Sequence, residues 1–433
     1  MKALVIAEKP SVARDIARVL KCQKSLNGAL EGDRYIVTWA LGHLVTLADP
    51  EDYDKKYKEW KMEDLPMLPD TFRLEVIKQS AKQFQAVKAQ LNRQDVDQVV
   101  IATDAGREGE LVARLILKKT GCKKPLKRLW ISSVTDKAIR DGFAHLKDGK
   151  DYEPLYDAAM SRAEADWMVG INATRALTCK YNAQLSCGRV QTPTLAMIAR
   201  REEQIRQFVP KPYYGLSMRA EGVRFQWKDE KSHSAQSFDK ERVQKLFDGL
   251  KGKEAVISSV KKAPKRTEAP LLYDLTELQR EASRRYDYSA KETLNIMQRL
   301  YENHKVLTYP RTDSRYLTAD ILSTIKERLR ACSIGPYKLL AGRLINQPLP
   351  AKPSFVNDKK VSDHHAIIPT EQFVQLDHMT IDERRIYDLV VRRFLAVLYP
   401  ACEYEQTAVE ATAAGEHFYA SGNHMVKMGW RAV

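Results

Sequence analysis

A tyrosine and an arginine, Tyr309 and Arg311, lie on either side of Pro310 in a segment rich in hydroxyl and charged side chains. Residues 306–309 are predicted to form a short strand that the proline ends, and side chains two residues apart in extended backbone lie on one face. A phenol with a pKa of about 10 is a poor nucleophile at neutral pH, but a neighbouring guanidinium favours the phenolate and can also bind a phosphate. The spacing therefore indicates attack of a tyrosine on phosphorus, although the tripeptide alone is more often an ordinary strand tyrosine before a turn.

Acidic turns follow two apolar runs, at residues 3–7 and 99–102. Each run is typical of a buried parallel strand, and a helical pattern follows each turn. Open α/β sheets bind ligands at the carboxyl ends of such strands. Glu8, Asp104 and Glu108 are therefore candidate ligands of Mg²⁺, which prefers hard oxygen donors. Lys9 beside them could contact a phosphate or supply a proton. The alternative is a set of solvated loop acids.

The chain of 433 residues carries a net charge of +15, which favours a polyanionic partner, most simply nucleic acid, over an ordinary basic protein. Residues 53–61 interleave lysines with Tyr57 and Trp60, a pattern suited to single-stranded nucleic acid. A solvated helix face with Trp60 tucked beneath it fits that pattern equally well. No phosphate-binding loop of the ATPase type is present, which argues against an ATP-driven motor.

Residues 153–208 have a helical pattern in which Trp167 and Arg175, two turns apart, fall roughly on one side. A short loop interrupts the helices and could offer donors to a phosphate backbone, or could simply connect them. Its residues are Ser186, Cys187, Gly188, Arg189, Val190 and Gln191, with Pro193 in the first turn of the next helix. Later in the chain, His364 and His365 are adjacent. Adjacent side chains seldom bind one metal ion, so we expect one of them to act on a phosphate or as an acid.

Six scattered cysteines, none in a Cys-x-x-Cys pair, indicate neither a disulfide framework nor a zinc site and fit a reducing cytoplasm. Neither a signal peptide nor a membrane-spanning run is predicted. Five domains are expected: a metal-binding α/β domain at 1–150, a helical domain at 151–210, a strand-rich domain at 211–268, a helical domain with the tyrosine at 269–400, and a returning strand segment at 401–433. Residues 261–266 are expected to be a solvated basic linker, and Ser289 is expected to cap a helix that leads to Tyr309.

Several segments together resemble the type IA DNA topoisomerases, most closely the bacterial topoisomerase III branch. They occur in the family's order over essentially the whole chain: LVIAEKPS at 4–11, ATDAGREGE at 102–110, ADWMVGINATR at 165–175, SCGRVQTP at 186–193, LTYPRTDS at 307–314 and HHAIIPT at 364–370. The resemblance implies a multidomain α/β plus α fold. In it, a Toprim-type, Rossmann-like domain precedes the helical and strand domains of a toroid.

The resemblance also implies an activity, namely ATP-independent cleavage, strand passage and rejoining of single-stranded DNA, which relaxes negative supercoils and unlinks catenated DNA. Tyr309 would be the nucleophile and form a 5′-phosphotyrosine, and Arg311 would hold the scissile phosphate. Glu8 and Lys9 would act at the leaving 3′ oxygen, and His364 would match the family's active-site histidine.

By the same resemblance, Glu8 and Asp104 would bind Mg²⁺ with help from Glu108. The residues that would contact single-stranded DNA are Trp60, Trp167, Arg175, Arg311 and the loop Ser186–Gln191 described above. A monomer associated with the nucleoid in the cytoplasm is expected.

Two departures from the family pattern bear on these expectations. Gly106 stands where many members have a second aspartate, which leaves the number of Mg²⁺ ions open. Members are usually longer, so the chain is expected to be truncated at its C-terminal end and the toroid incomplete. Two other functions therefore stay open from the sequence: an inactive fragment that binds single-stranded DNA, and a Mg²⁺-dependent nuclease built on the same metal-binding fold.

Overall fold

The apolar run near the start of the chain forms the centre of a mainly parallel sheet in the computed structural model, which describes residues 1–131, 134–348, 354–361 and 364–433. This strand, β1 (Lys2–Ala7), has a parallel neighbour on each side. Leu4 and Ile6 enter one apolar core, and Val5 and Ala7 enter another on the opposite face. Burial on both faces explains why the run is continuously apolar rather than alternating.

The described residues divide into two compact units, Met1–Met197 with Leu271–Phe394, and Ile198–Pro270 with Leu395–Val433. The strands are, in chain order, β1, β2 (Lys24–Leu26), β3 (Ala29–Glu31), β4 (Tyr35–Trp39), β5 (Val45–Leu47), β6 (Leu74–Val76), β7 (Val96–Ala102), β8 (Leu126–Arg128), β9 (Lys147–Asp148), β10 (Ser217–Ala220), β11 (Val223–Trp227), β12 (Val256–Thr267), β13 (Cys402–Ala413) and β14 (Glu416–Lys427).

The α-helices are α1 (Pro10–Val19), α2 (Pro50–Tyr53), α3 (Ala81–Leu91), α4 (Arg107–Thr120), α5 (Asp136–Ala144), α6 (Glu153–Tyr181), α7 (Gln191–Arg206), α8 (Lys240–Leu250), α9 (Leu275–Tyr286), α10 (Ala290–Glu302), α11 (Ile325–Ala331), α12 (Lys338–Ile345) and α13 (Ile381–Leu398). The five-domain division predicted from the sequence is finer than the division into two units and stays a prediction. In the part of the chain that the structure describes, no helix is long and apolar enough to cross a membrane.

The first unit contains a sheet with strand order β2-β3-β4-β1-β7-β8-β9. Strands β4, β1, β7 and β8 run parallel. Residues of α3, α4 and α6 contribute to the core on one face of the sheet, and residues of α1 and α5 to the core on the other. Because β1 and β7 are parallel neighbours, their carboxyl ends meet at one edge, and the turns that carry Glu8 and Asp104 follow there.

The strand predicted at residues 306–309 is reduced to one bridge between Leu307 and Pro369, so that prediction is wrong. The physical reason lies in Thr308, whose backbone N–H donates to the Ile368 carbonyl at 3.0 Å while its hydroxyl accepts from the Ile368 N–H at 3.0 Å. A side chain thus replaces the backbone acceptor that a regular ladder would use. The capping of α10 is confirmed, since Ser289 Oγ accepts from the Glu292 N–H at 3.1 Å.

The second unit contains an antiparallel sheet with strand order β10-β11-β14-β13-β12. The expectation of a solvated linker at 261–266 is wrong, because these residues continue β12 and pair with β13 as far as Thr267. Their basic side chains are mostly exposed, as expected for a linker. Pro264 is tolerated because β12 is an edge strand of the sheet.

Candidate active site

The turns after β1 and β7 bring Glu8 and Asp104 into contact. Glu8 Oε2 accepts a hydrogen bond from the backbone N–H of Asp104 at 3.1 Å. Burial, and then repulsion by Asp104, raises the pKa of Glu8 from 4.5 to about 7, and burial likewise raises the pKa of Asp104. Two adjacent carboxyl groups whose charged forms are disfavoured by burial form a site at which a cation would be stabilised.

Lys9 connects this acidic pair to the end of α10. Its Nζ lies 2.8 Å from Glu302 Oε1 and 3.8 Å from Asp104 Oδ2. Burial opposes the ammonium charge, but Asp104 and Glu302 outweigh that effect and the pKa of Lys9 is raised. Lys9 is therefore a charged group at neutral pH, held between an acid from the sheet edge and an acid from the tyrosine-bearing segment.

A fully buried arginine, Arg128 at the end of β8, supports the backbone of the acidic turn. Its Nη2 donates to the Asp104 carbonyl at 2.7 Å, its Nη1 donates to the Thr103 carbonyl at 2.8 Å, and its Nε pairs with Glu110 Oε2 at 2.9 Å. Both charged groups of this pair have no exposed surface. A buried ion pair with its remaining donors satisfied holds its neighbours in one geometry, so Arg128 acts on the site through the position of Asp104.

Tyr309 lies at the centre of this group of residues. Its phenol interacts electrostatically with the Asp104 and Glu8 carboxylates. Its ring meets Tyr301 edge-on at 5.5 Å between centroids and lies against His364 at 4.3 Å. Tyr301 is itself buried in the core that contains α1. The tyrosine is therefore held beside the acids that follow β1 and β7.

The expectation that Arg311 makes Tyr309 a ready phenolate is not met in the free protein. Burial, followed by the charges of Asp104 and Glu8, raises the pKa of Tyr309 above its usual value, and the opposing effect of Arg311 is smaller. The Arg311 side chain is exposed. The tyrosine thus carries its proton at neutral pH, and its deprotonation requires an acceptor or a change in the local charge.

His364 is buried against the ring of Tyr309. Burial and the neighbouring His365 lower the pKa of His364 to about 4, so the ring is neutral at pH 7. Its Nδ1 is buried without a hydrogen-bond partner among the described residues. An unpaired buried polar atom is costly unless a ligand satisfies it, which fits a role for His364 toward a bound substrate. By contrast, Nδ1 of His365 contacts the Ala366 carbonyl oxygen at 2.7 Å.

The three-acid metal set expected from the sequence is not assembled. Glu108 lies in the first turn of α4, is exposed, and pairs with Arg162 at 2.9 Å. Among the residues that the structure describes, no group of three or more histidine, cysteine or acidic side chains is placed to hold a metal ion. The geometry brings together Glu8 and Asp104 only. A pair of carboxylates still fits Mg²⁺, which usually takes one or two protein carboxylates and completes its shell with water and phosphate oxygens.

Trp60 and Arg175 lie together beside a second feature, an open cavity of about 320 Å³ in the same unit. Trp60 is about half exposed, at 48%. Arg175 is buried, with its guanidinium carbon 5.0 Å from the Trp60 ring centre and its Nη1 donating to the Tyr57 carbonyl at 2.6 Å. The exposed indole could stack on a base, whereas the guanidinium group of Arg175 packs against the indole ring.

Trp167 occupies a different environment from the one expected. It is 8% exposed, its indole N–H donates to the Ala48 carbonyl at 2.9 Å, and its ring meets Tyr53 and Phe72 edge-on. The expectation that Trp167 contacts DNA does not agree with this burial. Its spacing from Arg175 does place both side chains on the buried side of α6.

The loop Ser186–Gln191 is largely exposed, with Cys187 and Gly188 partly covered. Arg189 pairs with Asp166 at 2.6 Å, Gln191 Nε2 donates to Ser186 Oγ at 3.1 Å, and the Cys187 N–H donates to Thr174 Oγ1 at 3.0 Å. Val190 has no polar side chain and is 66% exposed. The loop is therefore accessible, and an anion that binds Arg189 would compete with Asp166.

Sequence reasoning missed Glu302, Tyr301 and Arg128. Glu302 and Tyr301 end a helix whose face toward the acids cannot be known before the fold is known. Arg128 is one of many basic residues, and only its complete burial distinguishes it. A signal for Arg128 was its place directly before the short apolar run at 129–131, where an unpaired charge would be costly.

A family model described as DNA topoisomerase matches residues 150–433, and one described as Toprim domain matches residues 3–134. The chain is 60% identical over 433 residues to DNA topoisomerase 3 of Bacillus anthracis and 58% identical over 432 residues to DNA topoisomerase 3 of Bacillus subtilis (strain 168). Each alignment covers 100% of this chain and 59% of the relative. A solved structure of full-length topoisomerase I from Thermotoga maritima matches with a TM-score of 0.73 at 23% identity, over 99% of this chain and 67% of that one.

Proposed function

Because this chain belongs to the type IA DNA topoisomerase family, we propose that it cleaves and rejoins single-stranded DNA through a 5′-phosphotyrosine. The observation that carries this proposal is the position of Tyr309, whose phenol interacts electrostatically with Asp104, beside Glu8 and Lys9. The chain spans 59% of the length of its curated relatives. Strand passage, relaxation of negative supercoils and unlinking of catenated DNA are proposed for the whole protein of which these residues are the reacting part.

In the cleavage step, Tyr309 Oη forms a bond to phosphorus and the bond from phosphorus to the 3′ oxygen breaks. Asp104 is assigned as the acceptor of the phenolic proton, because its carboxylate has the largest charge effect on the Tyr309 hydroxyl. Glu8, with a pKa of about 7, holds a proton in part of the molecules at neutral pH and can give it to the leaving 3′ oxygen. Rejoining reverses each transfer, and no ATP is needed because one phosphodiester bond is exchanged for another.

Two positively charged groups would stabilise the negative charge that develops on the phosphate. Lys9 is held between Glu302 and Asp104, and Arg311 is exposed two residues from the nucleophile. Preorganised cations of this kind stabilise a phosphoryl transition state without reorganisation at the moment of reaction. The unpaired Nδ1 of His364 supplies a further polar contact for the phosphate or the tyrosine oxygen.

The acidic pair of Glu8 and Asp104 fits Mg²⁺, because a cation would offset the burial that raises both pKa values and the repulsion that Asp104 adds at Glu8. A bound Mg²⁺ would supply positive charge beside the scissile phosphate. Glu108 is assigned no direct ligand role, since its carboxylate pairs with Arg162.

The basic chain would bind DNA as a monomer, at the nucleoid in the cytoplasm. Trp60 and Arg189 are the exposed residues best placed to meet bases and phosphates along α6 and its following loop. Affinity for single strands should then fall with salt at a slope of about −0.7 per phosphate neutralised. An affinity independent of salt would contradict this electrostatic mode of binding.

The test is a denaturing gel of the purified chain with a single-stranded oligonucleotide labelled at its 3′ end, and in a second reaction at its 5′ end. A 5′-phosphotyrosine retains the 3′-end label only, and Tyr309→Phe should abolish the covalent band. Tyr316→Phe is the matched control and should leave it unchanged, since the Tyr316 hydroxyl contacts Lys360 at 3.2 Å.

A covalent band with the 5′-end label, or one that survives in Tyr309→Phe, would overturn the assignment of the nucleophile. Cleavage without any covalent band would point to a Mg²⁺-dependent nuclease. Binding with neither cleavage nor a covalent band would point to a fragment that only binds DNA.

A further inference from the structure

Lys305 has an uncommon backbone conformation between the end of α10 and Tyr309. Its φ is +59°, in the left-handed region that residues with a side chain seldom adopt. A non-glycine residue persists there only when its surroundings hold it in place. The contacts of Lys305 must therefore stabilise this backbone conformation.

The side chain of Lys305 crosses to α1. Its Nζ lies 2.5 Å from Asp15 Oδ1, and the two side chains are 20% and 19% exposed. Arg18 lies 3.7 Å from the same carboxylate but is engaged by Asp136 at 2.6 Å. Lys305 is thus the closest cation to Asp15, in a site that is partly shielded from water.

The backbone of Lys305 is tied to the segment that follows His364. Thr370 Oγ1 donates to the Lys305 carbonyl at 2.6 Å, and the Thr370 N–H donates to the Val306 carbonyl at 3.0 Å. One residue therefore joins three parts of the chain: α1, the start of the tyrosine segment and the histidine segment.

Each partner of the ion pair is close in sequence to one part of the site, either the acidic turn after β1 or the tyrosine. Asp15 lies on α1, the helix that begins directly after Glu8 and Lys9, and Lys305 is four residues before Tyr309. Neither residue belongs to the reacting group itself. A contact between them fixes the distance between the acids and the tyrosine from outside the site.

We propose that Lys305 and Asp15 are positioning residues that hold Tyr309 at Glu8 and Asp104, through an ion pair made possible by the left-handed backbone at Lys305. The functional part of this inference rests on the proposed function, whereas its structural part concerns the order of the tyrosine segment alone. Removal of either charge should loosen residues 306–312 and slow attack by Tyr309, without weakening DNA binding.

The first experiment measures amide hydrogen exchange of the full chain over residues 306–312. The variants are Lys305→Asn and Asp15→Asn; asparagine tolerates the left-handed conformation, so the first variant removes the charge with little added backbone strain. Exchange in this segment should be about fivefold faster in both variants, as expected for loss of a partly buried pair. Lys305→Arg, which keeps the charge, and Lys127→Gln, which removes an exposed pair with Asp148, should behave as wild type.

The second experiment measures the covalent complex at saturating single-stranded oligonucleotide. Its rate of formation should fall about fivefold in Lys305→Asn and Asp15→Asn and return to wild type in Lys305→Arg, while the Kd for the oligonucleotide changes less than twofold. This division between rate and affinity separates positioning of Tyr309 from a phosphate contact by Lys305.

Unchanged exchange at 306–312 in Lys305→Asn and Asp15→Asn would overturn the inference, whether or not the chain cleaves DNA. A loss of affinity with unchanged exchange would also overturn it, because Lys305 would then act as a DNA contact. Absence of a covalent complex in the wild-type chain would instead count against the proposed function, and the exchange measurement would still decide the structural inference.

Discussion

Gly109 approaches the backbone of Asp104 so closely that a β-carbon at position 109 would lie 2.1 Å from the Asp104 carbonyl oxygen. The neighbouring atom belongs to the backbone and cannot rotate away. Thr103 Oγ1 donates to the Gly109 carbonyl at 2.7 Å, and Arg128 Nη2 donates to the Asp104 carbonyl at 2.7 Å. The first turn of α4 and a buried arginine therefore fix the turn that presents Asp104 to Tyr309.

We expect Gly109→Ala to displace Asp104 and to slow formation of the covalent complex by roughly 100-fold, because misplacement by about 1 Å can cost that much. Gly249→Ala is the matched control, since nothing lies within 4 Å of a β-carbon there. Replacement of this glycine in α8 by alanine should raise the free energy of unfolding by about 0.5–1 kcal/mol. The rates are measured at saturating oligonucleotide. A wild-type rate in Gly109→Ala would show that the position of Asp104 does not matter.

Removal of one carboxylate should show whether stabilisation of the protein by Mg²⁺ depends on Asp104. Without Mg²⁺, Asp104→Asn should unfold at a higher temperature than the wild type, because it removes a buried charge and the repulsion that adds to the effect of burial on the pKa of Glu8. With Mg²⁺ at ten times its Kd, the wild type should gain about 1.4 kcal/mol and Asp104→Asn almost nothing. Thermal unfolding with and without Mg²⁺ measures both effects.

Glu108→Gln is the control for that experiment, because Glu108 pairs with Arg162 outside the acidic pair. It should keep the Mg²⁺ response of the wild type. If Glu108→Gln lost the response as completely as Asp104→Asn, the three-acid set inferred from the sequence would be restored.

The acidic pair could be predicted from the sequence because its placement follows from strand order. Apolar runs buried on both faces predict parallel strands, and the turns after adjacent parallel strands meet at one edge. The surroundings of Tyr309 follow no such rule. Tyr301 and His364, which pack against its ring, come from eight residues before it and 55 residues after it. Burial of Tyr309, followed by the charges of Asp104 and Glu8, raises its pKa, where the nearby Arg311 alone predicts the opposite.

For the residues expected to bind nucleic acid, the sequence pattern again predicts which side of a helix they occupy but not whether that side is exposed. Spacing placed Trp167 and Arg175 on one side of a helix, and the structure agrees, but that side is the buried one. Whether a helix face meets solvent or another segment depends on residues far away, here Ala48 and Tyr57, whose carbonyls bind the two side chains. Residues 261–266 illustrate the converse case, since a basic run compatible with a linker becomes an edge strand once β13 supplies its partner.

Two tryptophans should therefore respond differently to truncation. Trp60→Ala should weaken binding of single-stranded DNA about tenfold, because base stacking on an aromatic ring contributes about 1–3 kcal/mol, and should leave the stability nearly unchanged. Trp167→Ala should lower the free energy of unfolding by about 3–5 kcal/mol, as loss of a buried aromatic does. Fluorescence anisotropy of a labelled oligonucleotide and urea unfolding measure the two effects. Equal effects on affinity with no loss of stability would contradict the burial of Trp167.

The N-terminus of α13 contains a buried carboxylate with opposing influences on its pKa. Glu383 Oε1 accepts from Arg299 Nε at 2.8 Å, Glu383 Oε2 accepts from the Thr380 N–H at 2.9 Å, and the side chain is 5% exposed. Burial alone would raise the pKa of Glu383, but these donors outweigh it and lower the pKa from 4.5 to about 2. A carboxyl group with a lowered folded-state pKa stabilises the protein above its unfolded-state pKa of 4.5 and loses that contribution as the pH falls toward 2.

Glu383→Gln keeps the shape and removes the charge, so it should lower the free energy of unfolding by up to about 3.5 kcal/mol at pH 7, since the pKa falls from 4.5 to about 2 and each pKa unit corresponds to about 1.4 kcal/mol. The difference from wild type should be fully present at pH 5, shrink below pH 4.5 and nearly disappear near pH 2. Glu268→Gln, which removes a 61% exposed carboxylate paired with Arg266, should change stability by less than about 0.5 kcal/mol at every pH. Urea unfolding at pH 7, 5, 4 and 3 provides the comparison. A difference that stayed constant down to pH 3 would mean that the lost stability comes from packing or hydrogen bonding rather than from the ionised form of Glu383.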